Sequence, residues 1–128
     1  MVGEPDRIRV ITVDDHEIFR GGIRFLMLAL DDVELVAEAQ GGDEALRLCE
    51  ELQPDVVLMD VTMPVMGGLD ATRKIKKEAP EIHVIGLSMH GSEDMRSSML
   101  EAGAEEYLIK DSPASDLIAA INKVAANR

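Results

Sequence analysis

The sequence predicts an α/β fold, namely a single doubly wound domain of five βα units with a five-stranded parallel sheet and helices on both faces. Three observations predict it. Strand-like and helix-like patterns alternate five times along the 128 residues, which is typical of parallel strands joined by right-handed crossovers. The strand that leads to Asp60 is apolar without alternation at residues 56–59, as expected for a strand buried on both faces. The chain is also too short for the eight units of a closed barrel.

The first half of the chain predicts two βα units. A β-rich run at residues 8–13 ends at Asp14 and Asp15, and a second short strand covers residues 33–37. An amphipathic helix follows each strand, because apolar residues recur there at helical spacing. These residues are Phe19, Gly22, Ile23, Leu26, Met27 and Leu30 in the first helix, and Ala45, Leu48, Cys49 and Leu52 in the second.

The third unit contains the strand around which a site is predicted. The apolar run at residues 56–59 meets an ionisable residue, Asp60, and the pattern breaks at Pro64. A carboxylate at the end of a buried strand lies at the C-terminal edge of the sheet, where open α/β sheets bind their ligands. A helix is predicted for residues 69–79. Its basic residues are expected to form a solvated face and are Arg73, Lys74, Lys76 and Lys77.

The fourth unit carries two capping signals. A strand is predicted at residues 82–88. Ser92 is predicted to cap the N-terminus of the following helix, and Gly103 is predicted to end it. The residues that line this helix are Met95, Met99 and Ala102.

The fifth unit closes the domain. A short strand at residues 107–109 ends at Lys110. Ser112 as N-cap, with Pro113 at the first helical position, is predicted to open the final helix. The apolar face of this helix consists of Leu117, Ala120, Ile121 and Val124.

Polar side chains end four of the five predicted strands. The expected strand order is 2-1-3-4-5, as in flavodoxin-like folds, and all strands of a parallel sheet end at the same edge. Asp14, Asp15, Asp60, Ser88 and Lys110 are therefore expected to converge. Three clustered carboxylates repel one another, and burial increases that cost. Lys110 supplies one positive charge, and a divalent cation with oxygen ligands, of which Mg²⁺ fits best, supplies the rest.

Composition and charge exclude several classes of protein. The net charge of −12 argues against direct nucleic-acid binding by this segment. No apolar run approaches the roughly 20 residues of a membrane span. Residues 1–7 lack the apolar core of a signal peptide and are expected to be disordered or flexible. Cys49 is the only cysteine, which excludes an internal disulfide and fits a reducing cytosol. We therefore expect a cytoplasmic protein without a membrane partner.

The sequence resembles the receiver domains of two-component response regulators, in particular those of NarL/LuxR-type transcription regulators. Each matching motif lies at a predicted strand end. The resemblance covers nearly all of residues 8–124, and one receiver domain is expected at residues 8–126. The motifs are Asp14-Asp15-His16, the segment Asp-Val-Thr-Met-Pro-Val-Met-Gly-Gly at residues 60–68, Ser88, and Tyr-Leu-Ile-Lys at residues 107–110.

The resemblance implies a phosphoacceptor site. Asp60 would attack the phosphorus of a phosphohistidine on a sensor histidine kinase and form an aspartyl phosphate. Asp14, Asp15 and Asp60, with the main-chain carbonyl of Thr62, would hold Mg²⁺ or Mn²⁺. The cation would shield the nucleophile and neutralise the phosphoryl oxygens. Lys110 would pair with one of those oxygens.

The resemblance also implies a switch and an output. Ser88 would donate its hydroxyl to a phosphoryl oxygen, and Tyr107 would change rotamer as Ser88 moves. The surface of the fourth helix, the fifth strand and the fifth helix would change as a result. The expected output is transcription through a DNA-binding domain that is missing from this chain, with homodimer formation on phosphorylation. Such a domain is not an enzyme in the usual sense, because it catalyses only its own phosphorylation and dephosphorylation.

Two alternatives stay open at this stage. A haloacid-dehalogenase-type phosphatase also uses an aspartate nucleophile with Mg²⁺, but it needs a second acid two positions on, where Thr62 stands. A phosphorylation-independent scaffold would keep the fold without the chemistry, although all the required residues are present. His16 and His90 lack ligand spacing with each other, and both are expected to be exposed.

Overall fold

The computed structural model describes residues 7–63 and 66–127. The break predicted at Pro64 and nearly all of the segment expected to be flexible, residues 1–7, lie outside the described residues. Arg7 is the described part of that segment, and its guanidinium donates to the carbonyl of Val33 at 2.7 Å. Within the described ranges, no helix combines the length and the apolar character that a membrane span requires.

Five strands and five helices alternate through the described residues, as predicted. The strands are β1 Ile8–Val13, β2 Val33–Ala39, β3 Val56–Asp60, β4 His83–Ser88 and β5 Glu106–Ile109. The helices are α1 Glu17–Leu28, α2 Gly42–Leu52, α3 Gly68–Glu78, α4 Glu93–Ala102 and α5 Ala114–Ala125. Where both ends of an element were predicted, they differ from the observed ends by at most two residues, which is the usual precision of an element boundary.

All five strands run parallel in the order β2-β1-β3-β4-β5, which confirms the predicted flavodoxin-like order. Val13 pairs with Met59, Asp60 pairs with Leu87, and Ser88 pairs with Ile109. The ends of β1, β3, β4 and β5 therefore lie level with one another. This register brings the four strand ends that carry the predicted site residues to one edge of the sheet.

The sheet separates two apolar cores. Ile11 and Val57 belong to the core under α2, α3 and α4, whereas Val10 and Leu58 belong to the core under α1 and α5. Every residue of β3 is buried, which confirms that this strand is covered on both faces. Burying one such aliphatic side chain contributes about 1.5–3 kcal/mol, so β3 is strongly fixed in the centre of the sheet.

The capping predictions for α4 are confirmed, whereas the prediction for α5 is wrong. The hydroxyl of Ser92 accepts a backbone N–H bond of 3.3 Å in the first turn, and Gly103 ends α4 with φ of 116°. Pro113, not Ser112, occupies the N-cap of α5. The N–H of Ser112 donates to the carbonyl of Ile109. The chain is thus still in the turn that follows β5, and the helix begins one residue later than predicted.

The basic run of α3 is not wholly solvated, contrary to prediction. Lys76 is half-buried, and its ammonium donates to the carbonyls of Pro80 and Ile82 and pairs with Glu105 at 3.0 Å. Glu105 also contacts the imidazole of His83. The long side chain ties the end of α3 to the start of β4 and β5, at the opposite edge of the sheet from the site. The other three basic residues of the run are exposed, as predicted.

Candidate functional site

Asp60 lies at the C-terminal end of β3, and its side chain is fully buried. One carboxylate oxygen, Oδ1, accepts hydrogen bonds from the N–H and the hydroxyl of Thr62 at 3.2 and 3.1 Å. The other oxygen, Oδ2, has no hydrogen-bond partner among the described residues. A buried carboxylate oxygen without a partner is costly. It therefore leaves an acceptor that could take a cation or an electrophile.

Gly68 lets the N-terminus of α3 pack directly on the backbone that follows β3. A Cβ at Gly68 would overlap the carbonyl oxygen of Asp60 and would lie 2.8 Å from Cα of Val61. Both obstacles are backbone atoms, so no side-chain rotation relieves the overlap. The close approach requires glycine here, and it holds the end of β3 in a fixed position.

Lys110 lies between the two buried aspartates. Its Nζ is 2.6 Å from Oδ2 of Asp14, an ion pair, and 3.5 Å from Oδ1 of Asp60. The side chain of Lys110 is only 3% exposed and that of Asp14 only 1%. The ammonium also lies 4.7 Å from the centre of the Phe19 ring, within the range of a cation–π contact. One ammonium cannot neutralise two carboxylates, so the site is negative even without Asp15.

Burial raises the pKa of the Asp60 carboxyl above its usual range, and the charge of Asp14 raises it further. Hydrogen bonds from Thr62 and the charge of Lys110 act in the opposite direction without cancelling the rise. The chain alone therefore holds the ionised carboxylate at a free-energy cost. A cation bound beside Asp60 would remove that cost.

Asp15 and His16 complete a cluster of possible metal ligands with Asp14 and Asp60. One ligand atom from each of these four residues lies within 4.8 Å of the others. The Nδ1 of His16 is 2.9 Å from Asp14 and 3.4 Å from Asp15, and it is 3.2 Å from the ammonium of Lys110. Asp15 and His16 are exposed, as predicted for His16, so the cluster opens to solvent on their side. Spacing along the sequence did not place His16 in this site.

The donor set of this cluster fits a hard divalent cation. Three carboxylates converge at the sheet edge, as predicted, and cations such as Mg²⁺ prefer oxygen ligands and retain several waters. The unpartnered Oδ2 of Asp60 is an acceptor that the described part of the chain leaves open. An aspartate cluster that could hold a metal is therefore present.

Ser88 lies at the end of β4 at this same edge, and its hydroxyl is bonded to the backbone of His90. The hydroxyl donates to the carbonyl of His90 at 2.7 Å and accepts from the His90 N–H at 3.2 Å. His90 itself is exposed, as predicted. Ser88 has one hydroxyl proton, so it donates to another acceptor only after leaving the His90 carbonyl.

Tyr107 is buried on β5, opposite Gly86 of β4. A Cβ at Gly86 would lie 3.1 Å from the tyrosine ring, so the small residue makes room for the ring. The tyrosine hydroxyl has no hydrogen-bond partner among the described residues. The side chain lines a cavity of about 430 Å³ between α4 and β5, together with Ser92 and Arg96.

Sequence reasoning missed Arg20, a buried arginine of α1. Its guanidinium donates to the main-chain carbonyl of Asp14 at 2.5 Å and lies 3.5 Å from the carboxylate of Glu38. A signal was present, because Arg20 precedes Ile23 by three positions and Met27 by seven. A charged residue therefore occupies the apolar stripe of an amphipathic helix.

Comparison with known proteins points to one family. The family model of the response regulator receiver domain matches residues 10–122. The chain is 40% identical over 121 residues to the response regulator GacA of Pseudomonas viridiflava, which covers 94% of this chain and 56% of that protein. It is 37% identical over 120 residues to the transcriptional regulatory protein DegU of Brevibacillus brevis, with 94% and 51% covered. The chain thus spans about half the length of the curated relatives it matches.

Solved structures agree with these similarities. The signal receiver domain of the putative response regulator NarL from Mycobacterium tuberculosis superposes with a TM-score of 0.91 at 31% identity, covering 97% of this chain and all of that one. The match agrees with the resemblance to NarL/LuxR-type receivers. It does not favour the phosphatase or the scaffold.

Proposed function

The chain belongs to the response regulator receiver domain family and is a receiver of the GacA and NarL type, and from this premise we propose that Asp60 accepts a phosphoryl group in a reaction that depends on Mg²⁺. One observation carries the proposal. The carboxylate of Asp60 is fully buried, its Oδ2 lacks a hydrogen-bond partner among the described residues, and the ammonium of Lys110 lies beside it. An oxygen in this environment keeps a lone pair available for an electrophile.

In the proposed reaction, a carboxylate oxygen of Asp60 attacks the phosphorus of a phosphohistidine on a sensor histidine kinase. The new O–P bond forms as the P–N bond breaks, and the imidazole leaves with a proton taken from solvent. Water later attacks the same phosphorus, which releases inorganic phosphate and restores the carboxylate. The domain thus catalyses only its own phosphorylation and dephosphorylation.

Asp14, Asp15 and Asp60, with the main-chain carbonyl of Thr62, are proposed to hold Mg²⁺ or Mn²⁺. The carboxylates within 4.8 Å of one another and the open Oδ2 of Asp60 support this assignment. When bound, the cation neutralises the carboxylates and the phosphoryl oxygens. The ammonium of Lys110 lies within 4 Å of both Asp14 and Asp60, which supports a bond from it to a phosphoryl oxygen on Asp60.

Ser88 and Tyr107 are proposed to pass the change to the surface formed by α4, β5 and α5. Ser88 gives up its bond to the carbonyl of His90 and donates to a phosphoryl oxygen. Because one proton cannot serve both acceptors, the segment after β4 loses that restraint. Tyr107 then changes rotamer beside the cavity between α4 and β5, where its hydroxyl lacks a partner among the described residues. Phosphorylation of Asp60 would thereby favour one of two conformations of the surface formed by α4, β5 and α5.

The proposed setting is a cytoplasmic two-component system. The match covers 56% and 51% of the two relatives, and one of them is named a transcriptional regulatory protein. These facts support a DNA-binding output domain in the parent protein and a transcriptional output, with homodimer formation on phosphorylation. The net charge of −12 argues against nucleic-acid binding by this segment itself.

Intact-mass spectrometry with acetyl phosphate as donor tests the proposal. In Mg²⁺, the wild-type chain is expected to gain a single phosphoryl group that is lost at alkaline pH, and EDTA is expected to prevent the gain. Asp60→Asn should gain none. Asp70→Asn, which removes an exposed acid of α3, is the matched control and should react like the wild type.

An unmodified wild-type chain, or an adduct that persists in Asp60→Asn, would contradict the proposal. Steady phosphate release from unrelated monoesters would favour the phosphatase instead.

A further inference from the structure

Helix α1 carries a buried arginine on the face that packs against the sheet. Arg20 is 7% exposed and shares this face with Ile23 and Met27, which are also buried. A guanidinium is rarely buried, because leaving water is costly unless its donors are paired. The proposed phosphoryl transfer does not use this group directly, so its partners indicate its role.

Both partners of Arg20 belong to strand ends beside the site. Its guanidinium donates to the main-chain carbonyl of Asp14 at 2.5 Å, and its Nε lies 3.5 Å from the carboxylate of Glu38, the second-last residue of β2. Glu38 is held in turn by two bonds of 2.6 and 2.8 Å from Arg24, which is exposed. A chain of paired charges therefore runs from the surface to the backbone of Asp14.

The carbonyl that Arg20 binds belongs to the peptide unit that joins the two acids. A peptide unit is planar, so the carbonyl of Asp14 and the N–H of Asp15 turn together. On the other side, the N–H of Asp14 donates to the carbonyl of Ala39 at 3.0 Å. With Arg20 bound, both peptide units that flank Asp14 are restrained. The two carboxylates thus project from backbone positions that are set before any cation arrives.

We propose that Arg20 is a positioning residue for the divalent cation, which it serves by holding the Asp14 carbonyl and thereby presetting the acid pair Asp14-Asp15. The inference rests on the proposed function, since it takes these acids as cation ligands. Without Arg20, the Asp14 carbonyl loses its buried donor, and repulsion between the carboxylates moves them apart. Groups that orient the ligands of a metal site contribute about 10- to 100-fold to metal affinity.

Calorimetric titration with Mg²⁺ tests this inference. In Arg20→Gln, the Kd for Mg²⁺ is expected to rise about tenfold. The rate of labelling by acetyl phosphate should recover at saturating Mg²⁺, because Asp60 and Lys110 are intact. Arg24→Gln is the matched control, since it removes an arginine of the same helix that binds Glu38 but not Asp14, and its Kd should stay close to the wild-type value. Arg20→Lys, which keeps a cationic donor, should lie between Arg20→Gln and the wild type.

Two results would overturn the inference. One is a wild-type Kd in Arg20→Gln, whatever its thermal stability. The other is an equal rise in Arg20→Gln and Arg24→Gln, because the effect would then belong to the Glu38 ion pairs or to overall charge. If Arg20→Gln does not fold, Arg20→Lys is compared with Arg24→Lys by the same criterion. Failure of the proposed function looks different, since the wild type itself would then bind no Mg²⁺ or gain no phosphoryl group.

Discussion

Two buried carboxylates share one buried ammonium at the edge of the sheet. The Nζ of Lys110 is 2.6 Å from Asp14 and 3.5 Å from Asp60, so one ammonium faces two buried carboxylates and leaves one negative charge uncompensated. Such buried, charged groups are typical of functional sites, and a divalent cation bound here would supply the missing positive charge.

The substitution Asp60→Asn is predicted to stabilise the cation-free protein at neutral pH. Because the pKa of Asp60 is raised in the folded state, its contribution to stability is present at acidic pH and is lost as the pH rises through the folded-state pKa. The free energy of unfolding should therefore rise by roughly 1 kcal/mol at neutral pH, the usual size of a single-residue effect. The gain should shrink at acidic pH, where the wild-type carboxyl is protonated.

Urea unfolding in EDTA at several pH values measures this difference. Asp70→Asn serves as the control, because Asp70 is exposed and its loss should bring no comparable gain. An Asp60→Asn protein that is no more stable than the wild type at neutral pH would contradict the cost assigned to the buried carboxylate.

Cys49 of α2 is predicted to be unreactive in the folded protein. Burial raises the pKa of its thiol to about 11, whereas an exposed thiol titrates near pH 8.5. From the thiolate fraction alone, iodoacetamide should modify the native protein on the order of 300-fold more slowly than the urea-unfolded chain at neutral pH. A mass-spectrometric time course measures both rates. Equal rates would show that α2 opens readily and exposes this side of the core.

At the scale of the elements, the sequence predicts those whose signals are local. Residues 56–59 are apolar without interruption and need two covered faces, so β3 was predictable as a central strand. Ser92 and Gly103 predicted the two ends of α4, because a serine hydroxyl can cap a helix N-terminus and glycine readily takes the left-handed conformation that ends a helix. The start of α5 was missed, because the bond from Ser112 to Ile109 is made between backbone groups and leaves no trace in residue type.

In the site, the residues that the topology places were predictable from the sequence, whereas contacts that depend on a loop or on a helix face were not. Asp14, Asp60 and Lys110 follow from topology alone, since parallel strands carry their C-terminal residues to one edge. The bond between Ser88 and the His90 carbonyl depends on the path of a loop, which no spacing rule specifies. The burial of Arg20 depends on which face of α1 meets the sheet, although its place in the apolar stripe was a usable signal.

The junction between β3 and α3 is predicted to tolerate no side chain at position 68. In Gly68→Ala, the added methyl would overlap the carbonyl of Asp60, so either α3 or the end of β3 has to shift. Overpacking of this kind costs typically 1–3 kcal/mol, and labelling of Asp60 should fall as well. Thermal unfolding and intact-mass labelling measure the two effects.

Gly22→Ala is the matched control for this prediction. A Cβ at Gly22 would meet nothing within 4 Å, and the residue is exposed within α1. Alanine should therefore stabilise the helix by about 0.5–1 kcal/mol. If both variants behaved alike, the close approach at Gly68 would not be a constraint on the fold.

At the scale of the whole molecule, the stability of the folded state is expected to depend on cation binding at the negatively charged site. The chain carries a net charge of −12, and three of its 25 acidic residues cluster where the ends of β1 and β3 meet. Mg²⁺ is therefore predicted to stabilise the folded state more than NaCl of equal ionic strength. At free Mg²⁺ ten times its Kd, the gain is about 1.4 kcal/mol.

Thermal unfolding in matched MgCl₂ and NaCl measures this gain. Asp15→Asn, which removes an exposed member of the acid cluster, should lose most of it. Equal stabilisation of the wild type and Asp15→Asn would mean that Mg²⁺ acts by general screening and not at this site.

The central claim is that Asp60 forms an acyl phosphate, and reduction with sodium borohydride tests it most directly, because hydride converts an aspartyl phosphate to homoserine. The labelled chain is reduced, digested and mapped by peptide mass spectrometry. The predicted result is homoserine at position 60 alone, only when acetyl phosphate and Mg²⁺ are both present. Homoserine at any other acidic residue, or an intact aspartate at position 60 in the labelled chain, would contradict the claim.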